Sequence, residues 1–314
     1  CIVIALIGMI AMSNASLIHA QQGRWDIQVI DSADNERTSI ALDSADRPHI
    51  AYLGVNTGLK YASLMDSGWS IQTIEGMPNL GAYCSLAIDS FGRPHVAYYD
   101  VWRWQLKYAH SDGSHWIIQT HPDDFETGKY CSLAIDSSNR VHIAYESDRV
   151  GLMYTYLNDT SWTIQTVDPV PSGSQDVFRY ISLALDSLGR PYISYYQNFV
   201  GLKFAYLNGT IWNVQTVRPD GTFPSIGVDN ANIVHIAYQS LVGLEYSSFS
   251  AGTWNTQLLD SDLPYYTSLK LDSHQYPHIS YYTEQNDLNI AEWDGSKWSS
   301  QTIDGGGAVG RNSD

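Results

Sequence analysis

Cysteine, positive charge and long apolar runs are all scarce in this 314-residue chain, and each shortage excludes something. Three cysteines are too few to staple a disulfide scaffold. Cys1 lies in the leading stretch, while Cys84 and Cys131 share one register in neighbouring segments, AYCSLAID and KYCSLAID. A bridge between those two and a pair of buried thiols are both open. Lysine and arginine number 17 against 33 acidic residues, a formal charge of −16. That excess argues against nucleic acid or an anionic membrane as partner, and suits solubility, cations or basic partners. After the start of the chain nothing approaches the ~20 apolar residues of a membrane span. Cys1–Ala20 holds no Asp, Glu, Lys or Arg, with an apolar run over Ile2–Met12 and small residues behind it. This reads as the core and cleavage end of a secretory signal peptide lacking its basic start. The expected organisation is a leader over 1–20 and one domain over 21–314, incomplete at its C-terminal end. The domain is expected to be monomeric, part of a larger protein, and secreted or held at the cell surface.

What the chain does have is repetition. Ser-x-x-Leu/Ile/Val-Asp recurs with its acid at Asp43, Asp89, Asp136, Asp186, Asp229 and Asp272. Trp-x-x-Gln starts at Trp25, Trp69, Trp116, Trp162, Trp212, Trp254 and Trp298. Between them lie His-Ile-Ala-Tyr, as at His49–Tyr52, and Leu-Lys-Tyr-Ala, as at Leu59–Ala62. Each run is short, rich in β-branched and aromatic residues and apolar at alternate positions, a strand signature. The connectors carry turn residues, as in Asp89–Pro94 and Asp294–Ser296. One unit is therefore four antiparallel strands in roughly 45 residues, a length at which a sheet must stack on its neighbours to cover both faces. The fold class predicted is all-β, a β-propeller of four-stranded blades. Six units are complete and the Trp25 strand is extra. A truncated seven-bladed ring, with that strand closing the last blade, is the first expectation, and a closed six-bladed ring is the second.

Ser85–Asp100 (SLAIDSFGRPHVAYYD) and Leu106–Thr120 (LKYAHSDGSHWIIQT) resemble the tandem repeats of secreted bacterial and archaeal propellers related to the Asp-box, or sialidase-like, superfamily. The resemblance spans about residues 25–304 and implies a propeller fold, which in this group serves enzymes, lectins and adhesive modules alike. A sialidase would need three arginines around the substrate carboxylate, whereas Arg47, Arg93, Arg140 and Arg190 all sit on one repeated turn. Trp293–Trp298 (WDGSKW) also looks like a segment repeated in fucose-lectin propellers. Only this copy holds both tryptophans, and the Arg and Glu that those lectins repeat are missing.

Residues present in every copy are expected to hold blades together. Asp43, His49, Ser39 and Trp69, with their equivalents, suit a buried hydrogen-bond network. Tyr192 replaces the histidine in the fourth unit, so no role common to all six can need imidazole. His110, His115 and His121 lie close in sequence without metal-ligand spacing. No cofactor is expected, although the acidic loop Asp123–Glu126 offers oxygen atoms of the kind that ligate Ca²⁺.

Antiparallel order puts the loop between second and third strands on the same face as the loop between blades, and these loops vary. Loops on a rigid scaffold are where binding residues concentrate. The aromatics Tyr83, Tyr130, Tyr180, Phe223 and Tyr266, two residues ahead of each Ser, are expected to ring the channel mouth on that face. Asp100 and Glu146 follow the second strand, and Trp102 and Trp104 are unique to one loop. Aromatic faces beside hydrogen-bonding groups suit sugars, and packing between blades explains the same aromatics. The expected function is an extracellular, non-catalytic recognition module for glycan or protein, with those nine residues as the binding set. A sialidase-like glycoside hydrolase or lyase, working through Asp100 and Glu146, and an architectural spacer are the alternatives.

Overall fold

The computed structural model describes residues 3–6, 26–31, 33–78, 80–123, 126–170, 177–285 and 287–305. Every predicted unit is a sheet of four strands consecutive in the chain and antiparallel to their neighbours. The sheets span 33–75, 82–120, 127–169, 178–218, 222–260 and 264–304. These are blades 1 to 6, and they stand in a ring as a β-propeller. The first strand of each is innermost, so that Ser39, Ser85, Ser132, Ser182, Ser225 and Thr267 all line one central channel. No helix of the described residues is long and apolar enough to cross a membrane.

Of the leader-like stretch, Val3–Leu6 is described, as a strand paired with Asp26–Val29 in a separate two-stranded ribbon. The rest of 1–20, and Trp25, lie outside the described residues. The ribbon still meets blade 1 as an outer strand meets the next blade. Gln28 accepts the Trp69 indole N–H at 3.1 Å, just as Gln72 accepts that of Trp116 at 3.0 Å.

Blades are joined by three kinds of polar bond, each made across the seam. Near the channel, Ser39, Ser85, Ser132, Ser182 and Ser225 each accept a backbone N–H of the following blade at 2.9–3.2 Å. Further out, the tyrosine closing His-Ile-Ala-Tyr or its equivalent donates to a carboxylate ending the preceding outer strand. The pairs are Tyr52 to Asp31, Tyr98 to Glu75, Tyr195 to Asp168 and Tyr281 to Asp260. At the rim, the outer-strand tryptophan reaches the Gln of the preceding outer strand at Trp69, Trp116 and Trp212. Its ring also stands edge-on to the preceding blade's third-strand aromatic, as Trp116 does on Tyr61 and Trp162 on Tyr108, 5.3 and 5.5 Å between centroids. The tryptophans are half-buried, so each contributes less than a fully buried indole would.

The repeated Asp and His form a different device, contained within each blade. Asp136 Oδ1 accepts the N–H groups of Ser138 and Arg140 at 2.9 and 2.8 Å, closing the turn between first and second strands. Its Oδ2 takes the Arg140 guanidinium at 3.0 Å and the His142 Nε2 at 3.3 Å. His142 Nδ1 then meets the Tyr154 hydroxyl at 2.5 Å. The expected single network of Asp, His, Ser and Trp is therefore two systems, a latch inside the blade and bonds between blades. In blade 4, Tyr192 replaces the histidine and Phe204 the tyrosine, so both members of the lost pair change together. Cys84 and Cys131 are buried thiols rather than a disulfide, and the Cys131 thiol donates to the Tyr83 carbonyl at 2.8 Å.

Replacing Asp136 by Ala strands two N–H groups, a guanidinium and an imidazole. The urea midpoint of Asp136→Ala is expected to fall by the equivalent of about 2–3 kcal/mol, the scale of hydrogen bonds to a charged group. Acid should act on the same latch. Burial holds His95 and His121 down to about 4 and lowers His49, His142 and His235. Burial alone would raise Asp89, but the Arg93 N–H, its guanidinium and His95 outweigh it and lower the carboxyl. The unfolded chain thus binds more protons than the folded one, and stability falls as the pH is lowered. The histidine contribution is lost between about 6.5 and 4, and the carboxylate contribution below that. His278, raised by Glu292, opposes this as a single group. The thermal midpoint, measured from pH 7.5 to 4, is expected to drop on the acid side of 6.5.

Candidate functional site

The loops between second and third strands and those between blades share one face, as the connectivity requires. Backbone bonds tie them together: Trp104 O accepts from Glu126 N at 2.7 Å, and Asn198 N donates to Val177 O at 2.9 Å. On this face the sequence-predicted residues separate into three groups.

Tyr83, Tyr130, Tyr180, Phe223 and Tyr266 come together as a collar. Neighbouring rings lie 4.5, 5.6, 4.2 and 5.0 Å apart between centroids, in that order around the channel. Each residue sits at a bulge where the first strand slips register against the second. Their φ values of 49–56° lie in the left-handed region, which aims the ring out of the strand's own alternation. All five are half-buried, and most ring faces are taken by the next ring.

Asp100 and Glu146 are interior, at 0% and 1% exposure. Asp100 Oδ1 accepts from Trp102 N and Arg103 N at 3.0 and 3.1 Å, and its Oδ2 faces the Arg103 guanidinium at 3.2 Å and Lys107 at 3.3 Å. Burial alone would raise its carboxyl, but the N–H groups of Arg103 and Trp102 prevail and lower it. Glu146 accepts from Phe178 N at 3.0 Å. Both acids organise backbone, and neither presents a carboxylate to a surface ligand.

Trp102 and Trp104 are 61% and 53% exposed, on the loop that Asp100 holds. The Trp102 indole N–H donates to Pro78 O at 3.0 Å, bracing the loop against the connection between blades 1 and 2. Sequence reasoning missed that other hairpin tips on this face also expose apolar side chains: Val55, Val150, Phe199, Leu241 and Val242. The signal was available, since each lies between a second and a third strand, where a solvated turn has no need of an apolar residue. Trp104 and Phe199 are the most telling, because both have positive φ, 56° and 66°. A bulky residue there costs about 1–3 kcal/mol.

On the opposite face, blades 2 and 3 flank a hollow of about 560 Å³ lined by Arg93, His110, Asn139, Arg140 and Asn158 among others. Both arginines are occupied by Asp89 and Asp136. Among the described residues no group of three or more His, Cys, Asp or Glu side chains is placed to hold a metal ion. In the acidic loop, Asp123 accepts the Tyr145 hydroxyl at 2.7 Å and Glu126 pairs with Arg149 at 2.9 Å, while Asp124 and Phe125 lie outside the described residues.

No protein-family model matches the chain, and no curated protein does. Solved structures do. A lectin from Burkholderia pseudomallei is similar over 88% of this chain and 85% of its own, at 13% identity and a TM-score of 0.68. AofleA from Arthrobotrys oligospora covers 86% of each chain, at 11% and 0.61. The Aleuria aurantia lectin, described as a six-bladed β-propeller with a novel fucose recognition mode, covers 87% of this chain and 96% of its own, at 13% and 0.59. What this chain shares with them is the propeller fold. The Asp-box resemblance is not reinforced by these comparisons, and rests on the repeat residues themselves.

The exposed tryptophans depend on Asp100. In Asp100→Ala the Trp102 and Arg103 N–H groups lose their acceptor, and Lys107 keeps only Glu75. Hydrogen exchange is expected to accelerate over residues 101–105 by tenfold or more while the amides of blades 4 to 6 keep their protection.

Proposed function

We propose that this chain is a non-catalytic recognition module that binds glycan outside the cell through its variable-loop face. The observation that carries the reading is the pair Trp104 and Phe199. Both hold a strained backbone conformation, and both leave the ring in solvent, at 53% and 104% exposure. The collar aromatics share the strain but stack on one another, whereas neither Trp104 nor Phe199 has an aromatic partner among the described residues. An aromatic platform fixed by buried bonds is preorganised, and such rigidity lowers the cost of binding. Sugars present C–H faces to such rings, and Arg103, next to Trp104 in the chain and 56% exposed in its side chain, supplies donors beside them.

The propellers of similar fold described as lectins support a glycan over other ligands, and their printed ligand, fucose, is not carried over. Burial of Asp100 and Glu146 removes the carboxylate pair on which a glycoside hydrolase reading depended. The acidic surface argues against nucleic acid as the partner.

Glycan-array binding by the wild-type chain, Trp102→Ala/Trp104→Ala and Phe199→Ala is the test. The wild type is expected to bind a defined subset of glycans, with at least tenfold loss in the tryptophan variant and a smaller loss at Phe199. Asn158→Ala, in the hollow on the opposite face, is expected to bind as the wild type does. Unchanged binding in both loop variants would move the site off this face. Absence of any glycan signal, with capture of deglycosylated cell-surface protein instead, would replace glycan by a protein partner.

A further inference from the structure

The central channel has a chemistry that recognition at the loop face leaves unused. Ser39, Ser85, Ser132, Ser182 and Ser225 line it, and each uses its oxygen to accept an N–H from the next blade. Their own hydroxyl protons meet no acceptor among the described residues. A hydroxyl in that position has a donor left for whatever occupies the channel. The result is a set of donors around one axis, one from each of blades 1 to 5.

Lys270 gives the set a charge. It lines the channel on the first strand of blade 6, two residues after Ser268. The equivalent positions in blades 1 to 5 are Ala41, Ala87, Ala134, Ala184 and Gly227, which pack into the seam with the following blade, whereas blade 6 has no described blade after it and carries this ammonium on that side, beside the channel. Lys60, Lys107, Lys129 and Lys203 each face a carboxylate. Lys270 makes no such pair among the described residues. Among the described residues the channel lining contains no Asp or Glu, in a chain with 33 of them. The cavity holds about 200 Å³, below the ~300–1,000 Å³ of sites for drug-sized ligands. Its space fits an ion-sized group.

We propose that the channel is an oxyanion site, in which Lys270 supplies the charge and the serine hydroxyls supply directional donors to a phosphate, sulfate or carboxylate group. An unpaired cation and hydroxyl donors with no competing carboxylate are complementary to an oxygen-rich anion and to no cation. The ring of equivalent serines places donors on several sides, which a tetrahedral or planar oxyanion can use and a halide uses less well. Tyr180, Phe223 and Tyr266 of the collar line the channel, whereas Trp102 and Trp104 do not, so the exposed tryptophans can be altered without touching it.

Isothermal titration calorimetry with sodium phosphate, at ionic strength held constant with chloride, tests the assignment. One saturable site per chain is expected in the wild type, at least tenfold weaker in Lys270→Gln and retained in Lys270→Arg, which keeps the charge. Lys270 is exposed on a regular strand, and circular dichroism melts establish that both variants are folded. Trp102→Ala/Trp104→Ala must bind phosphate as the wild type does, so that failure of the glycan reading leaves this one standing. A parallel titration with sodium glucuronate separates the sources: tighter binding of glucuronate than phosphate identifies a carboxylate entering on a larger ligand, and the reverse identifies an inorganic ion. No saturable heat with either anion, or equal affinity in Lys270→Gln, overturns the proposal.

Discussion

The propeller depends on bonds that a blade cannot make by itself. The serine beside the channel, the second-strand tyrosine of every blade but the fifth, where Tyr238 meets Ser247 in its own blade, and the rim tryptophans Trp69, Trp116 and Trp212 find their partners one blade or ribbon away. Leaving any of these buried groups without its partner costs of order 1–3 kcal/mol, so an isolated blade would face several such penalties as well as two uncovered apolar faces. Nearest-neighbour coupling of this kind makes stability a property of adjacent pairs. It also explains why the motif residues recur: each copy must satisfy the copy beside it. The ribbon strand Asp26–Val29 follows the same rule, with Gln28 and Asp31 serving blade 1 as Gln72 and Glu75 serve blade 2.

That coupling also marks where the sequence stops being readable. Strands and their order were legible because period-two patterning and turn residues are local, and six repetitions left little freedom in the architecture. Partner choice was not legible. Ser39 and Asp43 lie four residues apart and look like members of one network, yet Ser39 bonds Leu86, a full repeat later, while Asp43 bonds Ala45 and Arg47 in its own turn. Equivalent residues in adjacent copies are indistinguishable in a sequence, so spacing cannot say which copy supplies the partner. The same ambiguity affected Asp100 and Glu146. Polar residues at a strand end looked available to a ligand, but all seven residues of the second strand are buried in blades 2 and 3, and these acids are its last or next-to-last members.

Backbone conformation divides the aromatics more sharply than composition does. Tyr83, Tyr130, Tyr180, Phe223 and Tyr266 take left-handed conformations at a bulge that in most proteins calls for glycine. Their strain is offset locally, since each ring gains one or two aromatic neighbours around the channel. Trp104 and Phe199 have the same kind of backbone without that return. The sequence placed both sets near one face, but it could not show that one set is lining and the other display. What separates the two sets is how much of the ring the strained conformation leaves uncovered.

The distribution of acid follows from the seams. Asp31, Glu75, Asp123, Asp168 and Asp260 end outer strands because a buried tyrosine hydroxyl of the next blade needs an acceptor there. Asp43, Asp89, Asp136, Asp186, Asp229 and Asp272 close the turns on the opposite face. Much of the charge of −16 is therefore structural, set by blade number rather than selected for a cationic partner. Its placement also explains the channel. Carboxylates are needed where outer strands meet tyrosines and where first strands turn, both away from the axis, whereas inner strands join through serine hydroxyls and peptide N–H groups. Among the described residues the axis is left free of acid by the way the blades are joined, and Lys270 is the charged side chain that lines it there.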